Sequence, residues 1–128
     1  MSDRKTVEAK GAPEAIGPYN HAVVSGGLLF CSGQVPLDPE SGEIVGETAA
    51  DQATQCLKNL EAVCEAAGTR LQSAVRLTIY TTQLDKFADI NEAYSKFFPE
   101  SHPARAAVGV AALPKGALVE IDAIVALG

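Results

Sequence analysis

Arg105 and Glu120 are the two side chains of this sequence whose type and setting point to chemistry. Each is a charge set inside an otherwise apolar, strand-like run. From Ala104 to Val110 the odd positions carry Arg105, Ala107 and Gly109, and the even ones carry Ala104, Ala106, Val108 and Val110. That is a period-2 split, which a strand presents on two faces. From Val119 to Val125 the same alternation sets Val119, Ile121, Ala123 and Val125 against Glu120, Asp122 and Ile124. With Leu113-Pro114-Lys115-Gly116 as the turn, the runs form a hairpin that brings Glu120 roughly opposite Gly109. The arginine and the glutamate are then expected on one face, among small side chains. A guanidinium fork there can hold a small carboxylate, and a carboxylate nearby can manage a proton or a water. A structural ion pair is the competing reading. The register sets the two about four residues apart on neighbouring strands, on the order of 13 Å, too far for a direct bridge. The gap then has room for a ligand, for water or for a neighbouring subunit.

The elements that must position these residues alternate along the chain. Ala22 to Val24, Ser25-Gly26-Gly27 and Leu28 to Gly33 read as a hairpin with a glycine turn. Pro36, Asp38, Pro39 and Gly42 mark a turn-rich loop after it. Thr48 with Asp51 resembles a capping box, and Ala53, Leu57, Leu60, Cys64 and Ala67 then recur at helical spacing until Gly68. Val75, Leu77 and Ile79 alternate with Arg76, Thr78 and Tyr80 as a strand does. Asp85 is expected to cap a second helix with Phe87, Ile90, Tyr94 and Phe97 on one face, ended by Pro99. The order of strands and helices predicts an α+β fold, a single mixed β-sheet with two helices packed on one face. The other face, expected to carry Ala107, Gly109, Leu118 and Ile124 among its charges, is left bare, and self-association is the natural way to cover it.

Composition bounds the function. A chain of 128 residues with 47% hydrophobic content is expected to form one domain over 1–128, burying roughly two-thirds of its unfolded surface. The net charge is −6 and the ten Lys and Arg residues are dispersed, which argues against nucleic acid as a partner. The N-terminus lacks the apolar run of a signal peptide and nothing approaches a membrane span, so a cytoplasmic protein is expected. Cys31, Cys56 and Cys64 form no Cys-x-x-Cys or Cys/His pattern and read as core-filling residues. His21 and His102 have no paired ligand spacing, and no metal site is expected.

Ile16-Gly17-Pro18-Tyr19, Ser32-Gly33-Gln34, the stretch Asp85 to Asn91, Pro103-Ala104-Arg105 and Leu113-Pro114-Lys115 with Val119-Glu120-Ile121 together resemble the Rid/YjgF family of enamine/imine deaminases. The resemblance covers nearly the whole chain, and the tail resembles the reactive intermediate deaminase subfamily. It implies a homotrimer of chorismate mutase-like fold with sites at the subunit interfaces, and no metal or organic cofactor. The implied reaction is hydrolysis of 2-iminopropanoate and 2-iminobutanoate, released by pyridoxal-phosphate dehydratases, to 2-oxo acid and ammonia. Arg105 would bind the substrate carboxylate, and Glu120 would orient or deprotonate the attacking water. Tyr19 would close the pocket wall, and a loop tyrosine packed after Gly17-Pro18 is an equally good reading. Ser32 and Gly33 would bring a hydroxyl and a backbone group to the substrate, although Ser-Gly at a strand end is more often only a turn. Asn91 reads as a supporting hydrogen-bond partner. Ala107 stands where many relatives carry Cys, which leaves only its backbone to contribute, and Asn20-His21 replaces the usual pair beside Tyr19.

Three rival classes are weighed against this reading. Relatives have been called translation inhibitors or endoribonucleases, but an acidic chain without paired histidines is poorly equipped for phosphodiester cleavage. Chorismate mutase chemistry rests on fold analogy alone, and its dicarboxylate substrate would want more cations than Arg105. A non-catalytic binder of small 2-oxo acids or amino acids would use the same arginine. Glu120 separates it from a hydrolase, since a second negative charge gives an anion binder nothing.

Overall fold

The computed structural model describes residues 3–128. Gly26 and Gly27 have φ of 61° and 77°, the left-handed backbone that a two-residue hairpin turn requires and that glycine adopts freely. Around this turn β2 (Ala22–Ser25) pairs antiparallel with β3 (Leu28–Gln34). A short strand that carries no sequence signal, β1 (Lys5–Val7), adds to the far edge of β2. The turn-rich loop is closed by a bridge between Leu37 and Ile44 and held by buried Asn59, whose amide donates to the carbonyls of Val35 and Leu37.

Helix α1 (Ala49–Ala66) starts as expected, the Thr48 hydroxyl oxygen accepting from the Asp51 N–H at 3.1 Å. Its apolar stripe, including Leu57, Leu60, Val63 and Cys64, is wholly buried. The stripe packs on the inward side chains of β4 (Ala74–Thr81) and β6 (Val119–Ala126), among them Leu77, Ile79, Ile121 and Val125. All three cysteines are buried and unpaired, as core-filling residues should be. Helix α2 (Phe87–Ser95) begins differently from expectation. A 3-10 turn over Leu84–Lys86 leads into it, and no side chain caps it, so Asp85 is not its N-cap. The helix also stops at Ser95, before Pro99. The turn beyond buries Phe98, 1% exposed, and leaves Phe97 only partly buried.

The mixed sheet has the strand order β1-β2-β3-β6-β4-β5, with β5 spanning Ala104–Gly109. This corrects the expected hairpin between the Arg105 and Glu120 strands. β4 lies between them, antiparallel to β6 and parallel to β5, and α2 is the crossover that parallel pairing demands. Leu113 to Gly116 does turn, with Lys115 at φ 59°, but the strands it joins do not pair.

The register also inverts β5. Leu77, Ile79 and Thr81 face the helices, and they pair with Arg105, Ala107 and Gly109. Residues directly opposite on neighbouring strands share a face, so Arg105 and Ala107 lie on the helix side. The apolar positions Ala104, Ala106 and Val108 lie on the open side with Arg76, Thr78 and Tyr80. Glu120, paired with Tyr80, is on that open side too. Arg105 and Glu120 therefore occupy opposite faces, roughly 14 Å apart by strand spacing and rise. Two helices do cover one face only, and the other leaves Phe30 and Val108 more than 40% exposed.

Candidate functional site: two half-sites on opposite faces

The first half-site is built on the open face around Glu120. Cys31 pairs with Ala123 and Gln34 with Ile121, so Ser32 and Gly33 stand against one residue, Asp122, and β3 bulges there. The bulge brings the Gly33 backbone up to the Glu120 carboxylate. A Cβ on Gly33 would overlap a carboxylate oxygen and come within 3.0 Å of Cδ, so only glycine leaves the acid its seat. Ser32 donates its hydroxyl proton to the Asn20 carbonyl at 2.6 Å, fixing the loop that presents Tyr19. The Tyr19 hydroxyl accepts weakly from the Ile16 N–H at 3.4 Å, and its ring is 43% exposed. Ile16, Tyr19, Ser32, Gly33, Pro114 and Glu120 line a concavity of about 400 Å³.

Buried Gln52 locks the start of β6 into this arrangement. Its amide donates to the Gly46 carbonyl, and its oxygen accepts from the Leu118 N–H at 2.7 Å. The apolar stripe of α1 masks it in the sequence; a polar residue at a buried helical position is the available signal. Glu120 itself is half-buried. Burial first, and the charge of Asp122 second, hold its carboxyl above the usual carboxylate range.

The second half-site lies at the sheet edge on the helix face. The Arg105 guanidinium lies 5.0 Å from the ring centre of Phe87 and 4.9 Å from that of Tyr94. One of its terminal nitrogens donates to Asn91 Oδ1 at 2.7 Å. All three partners come from α2, so the helix that makes the parallel crossover also aims the cation. Phe87 and Tyr94 were legible as core-facing residues, not as supports for an arginine. Arg105 remains exposed with donors to spare, as the binding of an external carboxylate requires. With Asn91, Tyr94, His102 and Pro103 it borders a concavity of about 430 Å³. Ala107 is exposed two residues along on the same side of β5. The structure thus brings Tyr19, Ser32, Gly33 and Glu120 together, and Arg105 with Asn91, but keeps the two groups apart within one chain. Among the described residues, no group of three His, Cys, Asp or Glu side chains is arranged to hold a metal, and no helix is long and apolar enough to cross a membrane.

An α+β unit with one naked sheet face and a split acid–arginine pair is the setting in which the known relatives become informative. Residues 9–127 match the family model described as endoribonuclease L-PSP, and the chain belongs to that family, the Rid/YjgF family. A mouse protein named 2-iminobutanoate/2-iminopropanoate deaminase is 44% identical over 125 residues, 98% of this chain and 93% of its own. A RutC family protein of Sinorhizobium fredii is 51% identical over 94% of this chain and 96% of its own. Among solved structures, Escherichia coli TdcF with bound serine superposes with a TM-score of 0.90 at 41% identity, covering 95% of this chain and 98% of its own.

Proposed function

We propose that the chain is an imine deaminase that hydrolyses small 2-imino acids to 2-oxo acids and ammonia, in sites formed between the copies of a homotrimer. The observation that carries this reading is the division of the site. Arg105 and Glu120 face away from each other, so one ligand meets both only when the helix-side edge of one copy docks on the open face of another. That contact would also cover Phe30 and Val108. The identity to the mouse deaminase supports the reaction class, and the serine in TdcF supports a small amino-acid-like ligand for this fold.

In this reading Arg105, steadied by Asn91, grips the substrate carboxylate, and the partner copy's Glu120 carboxylate takes a proton from water. The water oxygen bonds to C2 as the C=N π electrons move to nitrogen, giving a carbinolamine. Glu120 returns the proton to the amino group. The C–N bond then breaks, the hydroxyl proton leaves with ammonia, and the carbonyl remains. An imine is already electrophilic, so a positioned acid/base suffices, and the chemistry asks for no metal or cofactor. Tyr19 and Ile16 would wall the substrate side chain, while Ser32 and Ala107 would serve through position and backbone. The substrates are the unstable imines that pyridoxal-phosphate dehydratases release, which makes such enzymes the functional partners, and the cytoplasm is where they would meet.

Mixed trimers test the site. Arg105→Ala chains, inactive alone, and Glu120→Gln chains, left with only a residual rate, are expected to recover activity when co-refolded. Random assembly leaves about one quarter of the wild-type sites intact when a site takes one residue from each of two neighbours. No recovery in mixed trimers confirmed by mass would overturn a shared site. A binder of small amino acids that performs no turnover is the second reading, favoured by the serine in TdcF. Coupling the protein to a threonine dehydratase and timing 2-oxobutanoate release separates the two.

The glycine seat gives a further expected result. Gly33→Ala should change stability little, because its methyl group meets the far end of the Glu120 side chain, which can move aside. It should also push Glu120 aside and bring turnover near the level of Glu120→Gln. Combined with Glu120→Gln, it should slow the reaction no further, because both changes remove the same function. Additive losses in steady-state rates would mean that Gly33 acts elsewhere.

A further inference from the structure

Two acids and a phenol form a row beside the bulge. Glu120 and Asp122 are alternate residues of β6, so both point to the open face, roughly 7 Å apart along the strand. On β4, Tyr80 pairs with Glu120 and Thr78 with Asp122. The Tyr80 hydroxyl reaches diagonally across the pair and donates to Asp122 Oδ2 at 3.1 Å. A phenol donating to one carboxylate oxygen fixes where that carboxylate stands. Nothing comparable holds Glu120, whose neighbour Gly33 offers it space rather than a charge.

We propose that Asp122, anchored by Tyr80, is a positioning residue that acts through Glu120: its fixed negative charge strengthens Glu120 as the base that activates water. This rests on the deaminase reading and adds to it the residue that sets the strength of the base. A carboxylate held this close on the same face disfavours the charged form of Glu120. The upward displacement of the Glu120 carboxyl, with Asp122 as its cause after burial, agrees with this geometry.

Among the described residues, the surroundings of Glu120 leave Asp122 as the only acid beside it. β3 contributes Ser32 and Gly33, Val35 follows just past its end, and the loop before β2 contributes Tyr19 and Ile16. From β4 come Tyr80 and, further along the same face, Thr78 and Arg76. Beneath the sheet, the Cys56 thiol is bonded to the Val119 carbonyl. Lys115 is turned away, its ammonium donating to the Gly42 carbonyl. Arg105 of a neighbouring copy would oppose Asp122 in the empty site. Once it holds the substrate carboxylate its charge is matched, and Asp122 then dominates the field on Glu120. The effect should therefore be clearest in the pH dependence of kcat, which reports the substrate complex, rather than in kcat/KM.

The test follows the proton as well as the rate. Glu120 is titrated by carbon NMR in protein carrying ¹³C-carboxyl glutamate, its signal identified as the one missing from Glu120→Gln. In Asp122→Asn, whose amide oxygen can still accept from Tyr80, the Glu120 midpoint should fall. The acid limb of the kcat profile should move to lower pH with it, and the plateau should drop by roughly 2–10-fold, since a weaker base draws the proton less. Asp122→Glu, which keeps the charge, should restore most of both. A Glu120 midpoint unmoved by Asp122→Asn in a trimer of unchanged mass overturns the proposal. The titration reads out even in a protein without hydrolytic activity, so loss of the deaminase reading and loss of this inference are told apart.

Discussion

Replacing Arg105 by alanine should abolish imine hydrolysis above the spontaneous rate while leaving the fold and the oligomer intact. The guanidinium is pre-aimed by Asn91 and two aromatic rings yet keeps donors free for a two-pronged grip on a carboxylate. Losing such a charge-assisted contact in a partly dry interface costs on the order of 3–5 kcal/mol of binding and orientation. Arg105→Lys should recover little. A lysine keeps the charge but not the planar fork or the stacking on Phe87 and Tyr94, so the carboxylate can pivot and the imine carbon drifts from the water. Kinetics, melting temperature and oligomer mass measured on one preparation decide the matter. An inactive, intact trimer supports the clamp, and an active one sinks it. Activity falling only in step with lost trimer would make Arg105 an assembly residue.

Glu120→Gln should keep carboxylate binding and slow turnover by roughly 10²–10⁴, the range for a positioned acid/base. The amide fits the same seat over Gly33, so the change removes a proton site with little change of shape. The pH dependence has a definite sign. Burial and Asp122 raise the Glu120 carboxyl above its ordinary range, so its ionised form is lost at a higher pH than for an exposed glutamate. The wild-type rate should accordingly fall on the acid side through that raised value, and the residual rate of Glu120→Gln should lack this limb. Linkage gives stability the opposite dependence. A carboxyl whose folded-state affinity for the proton is raised destabilises the native state when ionised, so Glu120→Gln should melt slightly higher than wild type above that range. An unchanged rate in the variant would return Glu120 to a structural role.

Local signals told the elements apart because each carried its own chemistry. Thr48 with its partner Asp51 marked the start of α1, and the glycine pair marked the first hairpin. The arrangement of the last three strands was not readable in the same way. Alternation states which residues of β5 share a face, but not which face the helices cover. With Ala104, Ala106 and Val108 apolar, alternation alone points to that set as the buried one, which the structure reverses. What decides it is the parallel pairing of β4 with β5 through α2, a long-range contact with no local mark. On the helix face the arginine is accommodated by Phe87, Tyr94 and Asn91, contacts that no local pattern announces. β1, three residues long, had too little pattern to register. Asn91 was legible as a partner because an amide on a packing helix needs one. Asp122 is legible only as a residue on the face of Glu120, since nothing in the sequence reveals that Tyr80 stands across from the two.

The two-faced placement of Arg105 and Glu120 also bears on the life of a newly made chain. A folded but solitary copy owns a cation that can hold a carboxylate and an acid that can move a proton, yet no metabolite can touch both. On the proposed reading such a chain is chemically silent. Its activity would begin only after it meets its siblings, with a lag set by their concentration, and would fade on dilution faster than the number of molecules falls.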